Sequence, residues 1–321
     1  MKNKIAIASA FIAASSFSFA EIALTENFSV EGFVNTQYSD GSGAVDAAFD
    51  LEEVEISFLF DSGPVSAQID VDFRERTVFN AGALVAADGV DEDGNLGDFL
   101  DTHHDADIDQ AFINYEIFGG VLSAGLIDSQ LGYEAFEAPG LYTNSTAYRN
   151  AQLPGTDEAV KFTKQLDEVS SIGVALLNAN NSFIGDESGT DTVIEIAYGR
   201  DLGNGFGAFV GYRSDDANDN DLINAYVTYE TGAMTYAVEL VDGENTTDLQ
   251  LLANYAYAAN ASVTVRYTQE EDGLAAGDDL DIVTLAHQLA LADNLSLTTE
   301  FQDNGNNEDE HQFSVSLLFT F

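Results

Sequence analysis

Apolar and polar residues alternate along almost the whole chain, and the alternating runs are joined by two kinds of connection in regular succession. A period of two is the pattern of a β-strand with one apolar and one polar face. Sixteen such runs are legible, near 28–39, 48–60, 65–75, 107–117, 120–128, 158–164, 169–179 and 192–200, and then near 205–213, 222–230, 233–241, 248–257, 261–269, 280–291, 294–302 and 311–321. Short connections such as Asp61-Ser62-Gly63-Pro64, Gly119-Gly120, Leu202-Gly203-Asn204 and Thr231-Gly232 carry the residues of tight hairpins. They alternate with long ones at 40–47, 75–106, 128–157, 180–191, 214–221, 242–248, 269–281 and 302–310. Over an even number of antiparallel strands, this puts every long connection on one side and both termini on the other. The long connections hold most of the 56 acidic side chains, and the short turns hold few. A sandwich has no reason to segregate acid to every second connection. A barrel with two unlike rims does.

The faces predict an all-β transmembrane antiparallel barrel. Val65, Ala67, Ile69, Val71 and Phe73 oppose Ser66, Gln68, Asp70, Asp72 and Arg74; Met234, Tyr236, Val238 and Leu240 oppose Thr235 and Glu239. Apolar outside and polar inside is the arrangement of strands with lipid outside and water within. Glu52, Asp107, Asp109 and Glu158 fall on the apolar parity, all at long-connection ends. Lys164 and Arg200 fall there at short-turn ends, where long cationic chains can snorkel. His287 also falls outward, which points to a bulge or a different register in 280–291.

Residues 1–20 place Lys2 and Lys4 before an uncharged apolar stretch and end on Ser18-Phe19-Ala20, the pattern of a secretory signal peptide, leaving 21–321 as the barrel domain. No later window is apolar enough for a transmembrane helix. A formal net charge of −46 from 10 basic and 56 acidic residues excludes a nucleic-acid binder, which needs clustered Lys and Arg. The absence of cysteine excludes a disulfide framework and thiolate metal sites.

With its signal peptide, alternating connections and C-terminal FSVSLLFTF, the chain resembles the Gram-negative outer-membrane porin superfamily of 16-stranded trimers. Across 109–163, DQAFINYEIFGGVLSAGLIDSQLGYEAFEAP leading to PGTDEAVKF is similar to OmpL-like β-barrel porins. The resemblance implies a homotrimer in the outer membrane, in contact with lipid and lipopolysaccharide. It also implies that Phe313, Val315, Leu317, Phe319 and Phe321 form the signal read by the outer-membrane assembly machinery. It further implies a third loop, here 128–157, folded into the barrel; the aromatic content of that stretch (Tyr133, Phe136, Tyr142, Tyr148) suits an enclosed position. On that model, Asp128, Glu134 and Glu137 on the loop face Arg74, Arg76, Arg149 and Lys161 across a constriction.

Inward parity adds Asp70, Asp72, Glu195, Glu239 and Glu300, with Arg213 and Arg266, as lumen-facing charges. The expected activity is passive diffusion of ions and small hydrophilic solutes, with cations preferred because acidic rings select cations. No cofactor or catalytic site is indicated. Asp91, Asp93 and Asn95 form an oxygen-rich stretch that departs from the EF-hand pattern at Leu96, so loosely held Ca²⁺ or Mg²⁺ on the acidic loops is the extent of the metal expectation. The alternatives are a plugged or structural barrel, a secreted adhesin, and an outer-membrane lipolytic enzyme using a Ser and His such as Ser296 and His287.

Overall fold

The computed structural model describes residues 21–42, 47–79, 100–134, 137–148, 153–178, 192–214, 221–243, 246–271, 279–305 and 311–321, with backbone alone at 74–79 and 100–105. The signal-peptide expectation for 1–20 and the candidates Asp91, Asp93, Asn95 and Arg149 lie outside the described residues, as do the side chains of Arg74 and Arg76.

Sixteen long strands form one closed antiparallel sheet. They are β1 (Phe28–Gly41), β2 (Ala48–Ser62), β3 (Val65–Phe79), β4 (Leu100–Ile117), β5 (Gly120–Asp128), β6 (Thr156–Asp167), β7 (Ser170–Asn178) and β8 (Thr192–Gly203). There follow β9 (Phe206–Ser214), β10 (Leu222–Thr231), β11 (Met234–Asp242), β12 (Thr247–Ala258), β13 (Ala261–Glu270), β14 (Leu280–Ala292), β15 (Leu295–Asn304) and β16 (His311–Thr320). Each pairs with the next, and β16 closes on β1 from Gln312↔Gly41 to Thr320↔Phe33. Closure removes the unpaired edges that an open sheet would present. It is completed at the last residue, where the Phe321 and Gly32 backbones exchange two hydrogen bonds of 2.9 Å. A two-residue segment, Ile22–Ala23, pairs with the start of β1. Among the described residues no helix is long and apolar enough to cross a membrane.

β3 and β4 extend beyond the runs legible in sequence, pairing as far as Phe79↔Leu100. The extension lacks an apolar face, so no hydrophobic period marks it. Only the cross-strand ladder reveals it.

The polarity of the barrel is the reverse of a water-soluble protein's. Val238 is 49 % exposed on the outside while its neighbour Glu239 is 1 % exposed on the inside. The same alternation runs along β2, where Phe58 and Phe60 are exposed and Glu55 and Ser57 buried, and along β15, where Phe301 is exposed and Glu300 buried. Aromatic rings gather outside the short turns, including Phe206 stacked on Tyr229 at 4.3 Å and Tyr257 hydrogen-bonded to His287 Nε2 at 2.7 Å. The register through His287 is regular, and the irregularity of β14 lies further on, between Ala290 and Ala292. His287 therefore does face outward, satisfied by a tyrosine hydroxyl.

Bulges correct the outward assignment of three acids. Asn35 pairs with Glu53 and Thr36 with Leu51, so Glu52 is an extra residue in β2, and it accepts from Gln37 Nε2 at 3.2 Å. Asp70 pairs with Gln110 and Val71 with Ile108, so Asp109 is an extra residue in β4. Beyond it the parity of β4 flips, and Asp107 pairs with the inward Asp72. An extra residue re-aims its own side chain and reverses the faces of everything past it.

Candidate functional site

The connection between β5 and β6 hydrogen-bonds to the inward face of the wall. Its segments 129–134 and 138–146 meet the wall at several strands. Glu195 on β8 accepts from Ser129 Oγ at 2.7 Å and from the Gln130 amide at 2.8 Å. Asn224 Oδ1 on β10 accepts from the Gly132 amide at 3.0 Å, and Glu239 Oε1 on β11 from the Tyr133 amide at 2.8 Å. Further along, Glu53 on β2 accepts from the Ala138 amide at 3.3 Å, beside the short 3-10 turn Ala138–Gly140. Gln288 on β14 donates to the Leu141 carbonyl at 3.1 Å, and Glu300 on β15 accepts from the Asn144 amide at 2.7 Å. Asn144 also bridges Ser314 and Ser316 on β16. A carboxylate that accepts a backbone N–H in a dry setting makes a short, charge-assisted bond. Wall glutamates thus satisfy amides that no secondary structure serves.

Packing supports the same segment. Leu131, Tyr133, Tyr142 and Tyr148 form one buried cluster with Phe209, Leu222 and Tyr226 of the wall. Tyr226 stacks on Phe209 with centroids 4.6 Å apart and meets Tyr133 edge-on at 5.4 Å. Gly173 and Gly211 make this approach possible, because a Cβ on either would collide with Gln130 or Leu131.

Arg266 on β13 is the main electrostatic anchor. Its Nη1 lies 2.9 Å from Glu134 Oε2, with side chains 1 % and 4 % exposed. The same guanidinium donates to Thr143 Oγ1, to Ser145 O and Oγ, and to Thr146 O, all at 2.8–2.9 Å. Glu134 was expected to face a basic group across the lumen. It is instead buried against the wall, so its charge and that of Arg266 neutralise each other. Arg213 is likewise paired, with Asp157 at 2.8 Å and Glu195 at 4.0 Å.

A further group of acids is gathered elsewhere. Glu55, Asp109 and Glu137 each offer a carboxylate oxygen within 4.8 Å of the others. They come from β2, from the bulge of β4 and from the loop. Asp70 and Asp128 are near enough to act on them electrostatically. Asp70 is buried and accepts from Gln68 Nε2, and Asp72 is buried at the next inward position, two residues along. Asp128 accepts from Thr156 Oγ1 at 2.9 Å. Lys161 donates to the backbone oxygen of Asp128 at 3.1 Å and is the ammonium among the described members of this group. Burial first, and then the neighbouring Glu55, Asp128, Asp70 and Glu53, push the Glu137 carboxyl up to about 9.

Sequence parity had put Asp109 among the lipid-facing residues and had not singled out Glu53 or Glu55 as site residues. The polar parity of β2 was the available signal for Glu55; for Asp109 the bulge concealed it. The terminal residues Phe313, Leu317 and Phe319 lie exposed on the outer face of β16, and Phe319 stacks on Phe321 at 6.0 Å.

The protein is a closed sixteen-stranded sheet with an apolar exterior and a loop bound across a charged interior, and several solved structures share this arrangement of strands. OmpF of Salmonella typhi, in complex with daunomycin, aligns over 94 % of this chain and 100 % of its own, with TM-score 0.65 and 12 % identity. A mutant of the Rh. blastica porin aligns over 92 % and 100 %, with TM-score 0.62 and 14 % identity. The anion-selective porin of Comamonas acidovorans aligns over 92 % and 99 %, with TM-score 0.58 and 15 % identity. The fold is that of the outer-membrane porins. No protein-family model and no curated protein sequence matches the chain, so the structural likeness speaks to fold, and function rests on the lining of this particular barrel.

Proposed function

We propose that the protein is an outer-membrane porin, a water-filled channel for passive diffusion of ions and small hydrophilic solutes with a preference for cations. The observation that carries this reading is the reversed polarity of a closed barrel whose interior gathers Glu55, Asp109 and Glu137. Wide barrels of about 16 strands enclose an aqueous lumen, and the outward apolar face calls for lipid. One of the solved structures of this fold is described as anion-selective, so the fold leaves the sign of selectivity open. Here Arg213 and Arg266 are paired with Asp157 and Glu134, and acidic side chains outnumber the basic ones among the described residues around Glu55, Asp109 and Glu137, where Lys161 is also found. At physiological salt the Debye length is about 8 Å, comparable with a narrow pore, so the ionised acids of the lumen are felt by passing ions, with Glu137 adding its charge only as pH rises toward about 9.

The same reading includes an OmpL-like subtype, assembly as a homotrimer, export through a signal peptide, recognition of the C-terminal strand by the assembly machinery, and lipopolysaccharide around the acidic rim. Glu55, Asp109 and Glu137 are the residues that could hold a hard cation such as Ca²⁺ in passing, since three carboxylate oxygens suit one.

The test is conductance of the refolded protein in a planar bilayer, followed by the reversal potential in a KCl gradient. Steps with a potassium-favouring potential are expected. Correctly folded protein without steps would overturn the channel, and a chloride-favouring potential would overturn the selectivity.

A further inference from the structure

Beneath the loop, on the short-turn side of the lumen, the wall opens into a recess of about 450 Å³. Its origin is local. On β8 the residues sharing the inward parity of the buried Glu195 and Ala197 are Gly199 and then Asp201; on β9 the inward position next to Phe209 is Gly207. Gly199 lies opposite Ser171 of β7 and Gly207 opposite Thr228 of β10, so two adjacent strands present glycine bordered by small side chains, and the space is kept by backbone rather than by a mobile group.

The lining is of two kinds. Tyr133 from the loop and Tyr226 from β10 supply aromatic surface, held in place by the stack of Tyr226 on Phe209. Asp201 and Glu230 supply carboxylates, and Glu168 adds a third from its turn. Gln165 and Thr228 add uncharged polar groups. The one cationic side chain at its edge, Arg200, has outward parity and donates to Ser170 Oγ at 3.1 Å and Tyr198 OH at 3.4 Å, so it is engaged on the other face.

We infer that this recess is a binding subsite for small organic cations, such as ammonium compounds, that enter from the short-turn side. Aromatic faces attract a cation through the ring quadrupole, and carboxylates pair with its charge. A volume of this size lies within the range of ordinary small-molecule sites. An inorganic ion would not need it, being held by oxygen ligands alone at closer range. A neutral sugar could stack on the aromatic wall and donate hydroxyls to the carboxylates, but it would leave their negative charge uncompensated, which a cation does not. The inference deepens the channel reading and depends on it for access, although binding can be measured apart from conduction.

The experiment has two readouts on the full chain. Benzyltrimethylammonium is titrated calorimetrically into the detergent-folded protein, alongside its uncharged isostere neopentylbenzene. The same cation is then added to each side of a bilayer carrying single channels. The expected results are saturable binding of the cation at least tenfold tighter than of the isostere, and current block stronger from the short-turn side. Asp201→Asn combined with Glu230→Gln should weaken both at least tenfold while leaving potassium conductance within twofold. Migration of the unheated protein on gels verifies folding of the variant. Potassium steps without binding, equal affinity for the two probes, or binding unchanged in the folded double variant would each overturn the subsite and leave the channel standing. Calorimetric binding without any potassium steps would overturn the channel and the route of entry while leaving the recess as a site.

Discussion

Removing the Arg266 guanidinium should release the inner loop without unfolding the barrel. The perturbation is Arg266→Met, which keeps an unbranched stem as far as the position of Nε, removes the guanidinium and leaves the Glu134 carboxylate behind. Glu134 Oε2 would lose its ionic partner at 2.9 Å and keep the Gln250 amide at 2.7 Å. Four further bonds, to Thr143, Ser145 and Thr146, would also be lost. Breaking a buried pair by removing one partner costs about 3–5 kcal/mol, because the remaining charge is buried and uncompensated. The sixteen-strand ladder does not depend on this pair, so the cost falls on docking of the loop. At about 1.4 kcal/mol per tenfold, it amounts to roughly a hundred- to a few-thousand-fold in the docking equilibrium. Hydrogen exchange measured by mass spectrometry reads this directly. The Asn144 and Ser145 amides, which donate to Glu300 at 2.7 and 3.3 Å, should lose protection by that factor, while the amides of β10 and β11 should not. Adding Glu134→Gln removes the stranded charge and should restore most of the protection. Unchanged exchange in Arg266→Met, or a double variant as labile as the single one, would refute the claim that this ion pair holds the loop.

The acidic group predicts a pH dependence. Glu137 binds its proton more tightly in the folded loop than in an unfolded chain, so it ionises as pH rises through about 9. Cation preference in reversal-potential measurements should therefore grow between pH 7 and 10. The folded protein then holds more protons than the unfolded one between the ordinary carboxyl value and about 9, so docking of the loop should weaken as pH rises across that window. Glu137→Gln should flatten both trends, and equally steep profiles in the variant would argue against Glu137 as the titrating group. On the outer face, Val238→Arg should cost about 2–4 kcal/mol of folding stability in lipid vesicles, as judged from urea titrations; no measurable cost would mean that this face does not meet lipid. At the seam, a Cβ on Gly32 would meet the Glu55 carbonyl and come within 2.9 Å of Phe321 Cζ, so Gly32→Val should lower the yield of folded barrel on unheated gels, with wild-type yield the contrary result.

Much of the architecture was legible before any coordinate. The alternation of Val54, Ile56, Phe58 and Phe60 with Glu55 and Ser57 gives two faces because successive side chains in a strand point to opposite sides. The succession of short and long connections gives two rims. The inward positions of Asp70, Glu195, Glu239, Arg266 and Glu300 followed from parity alone, since no bulge intervenes in their strands near them.

Parity says which face a side chain takes and nothing about what meets it there. Glu134 and Arg266 are 132 positions apart, and only closure of the sheet brings the loop from β5 to the wall at β13. Glu195, Glu239 and Glu300 read as lumen-facing charges in the sequence, and the structure binds them to loop amides. Asp109 was concealed for a different reason. Its bulge is defined by the partner strand, where Asp70 and Val71 face Gln110 and Ile108, and one strand read alone cannot display an extra residue in a pairing. The sequence by itself determined the number of strands, their faces and the two rims, because those are local periodicities. The tertiary structure alone decided which carboxylates are neutralised and which stay together in the lumen, because that depends on register and on distances across a closed barrel.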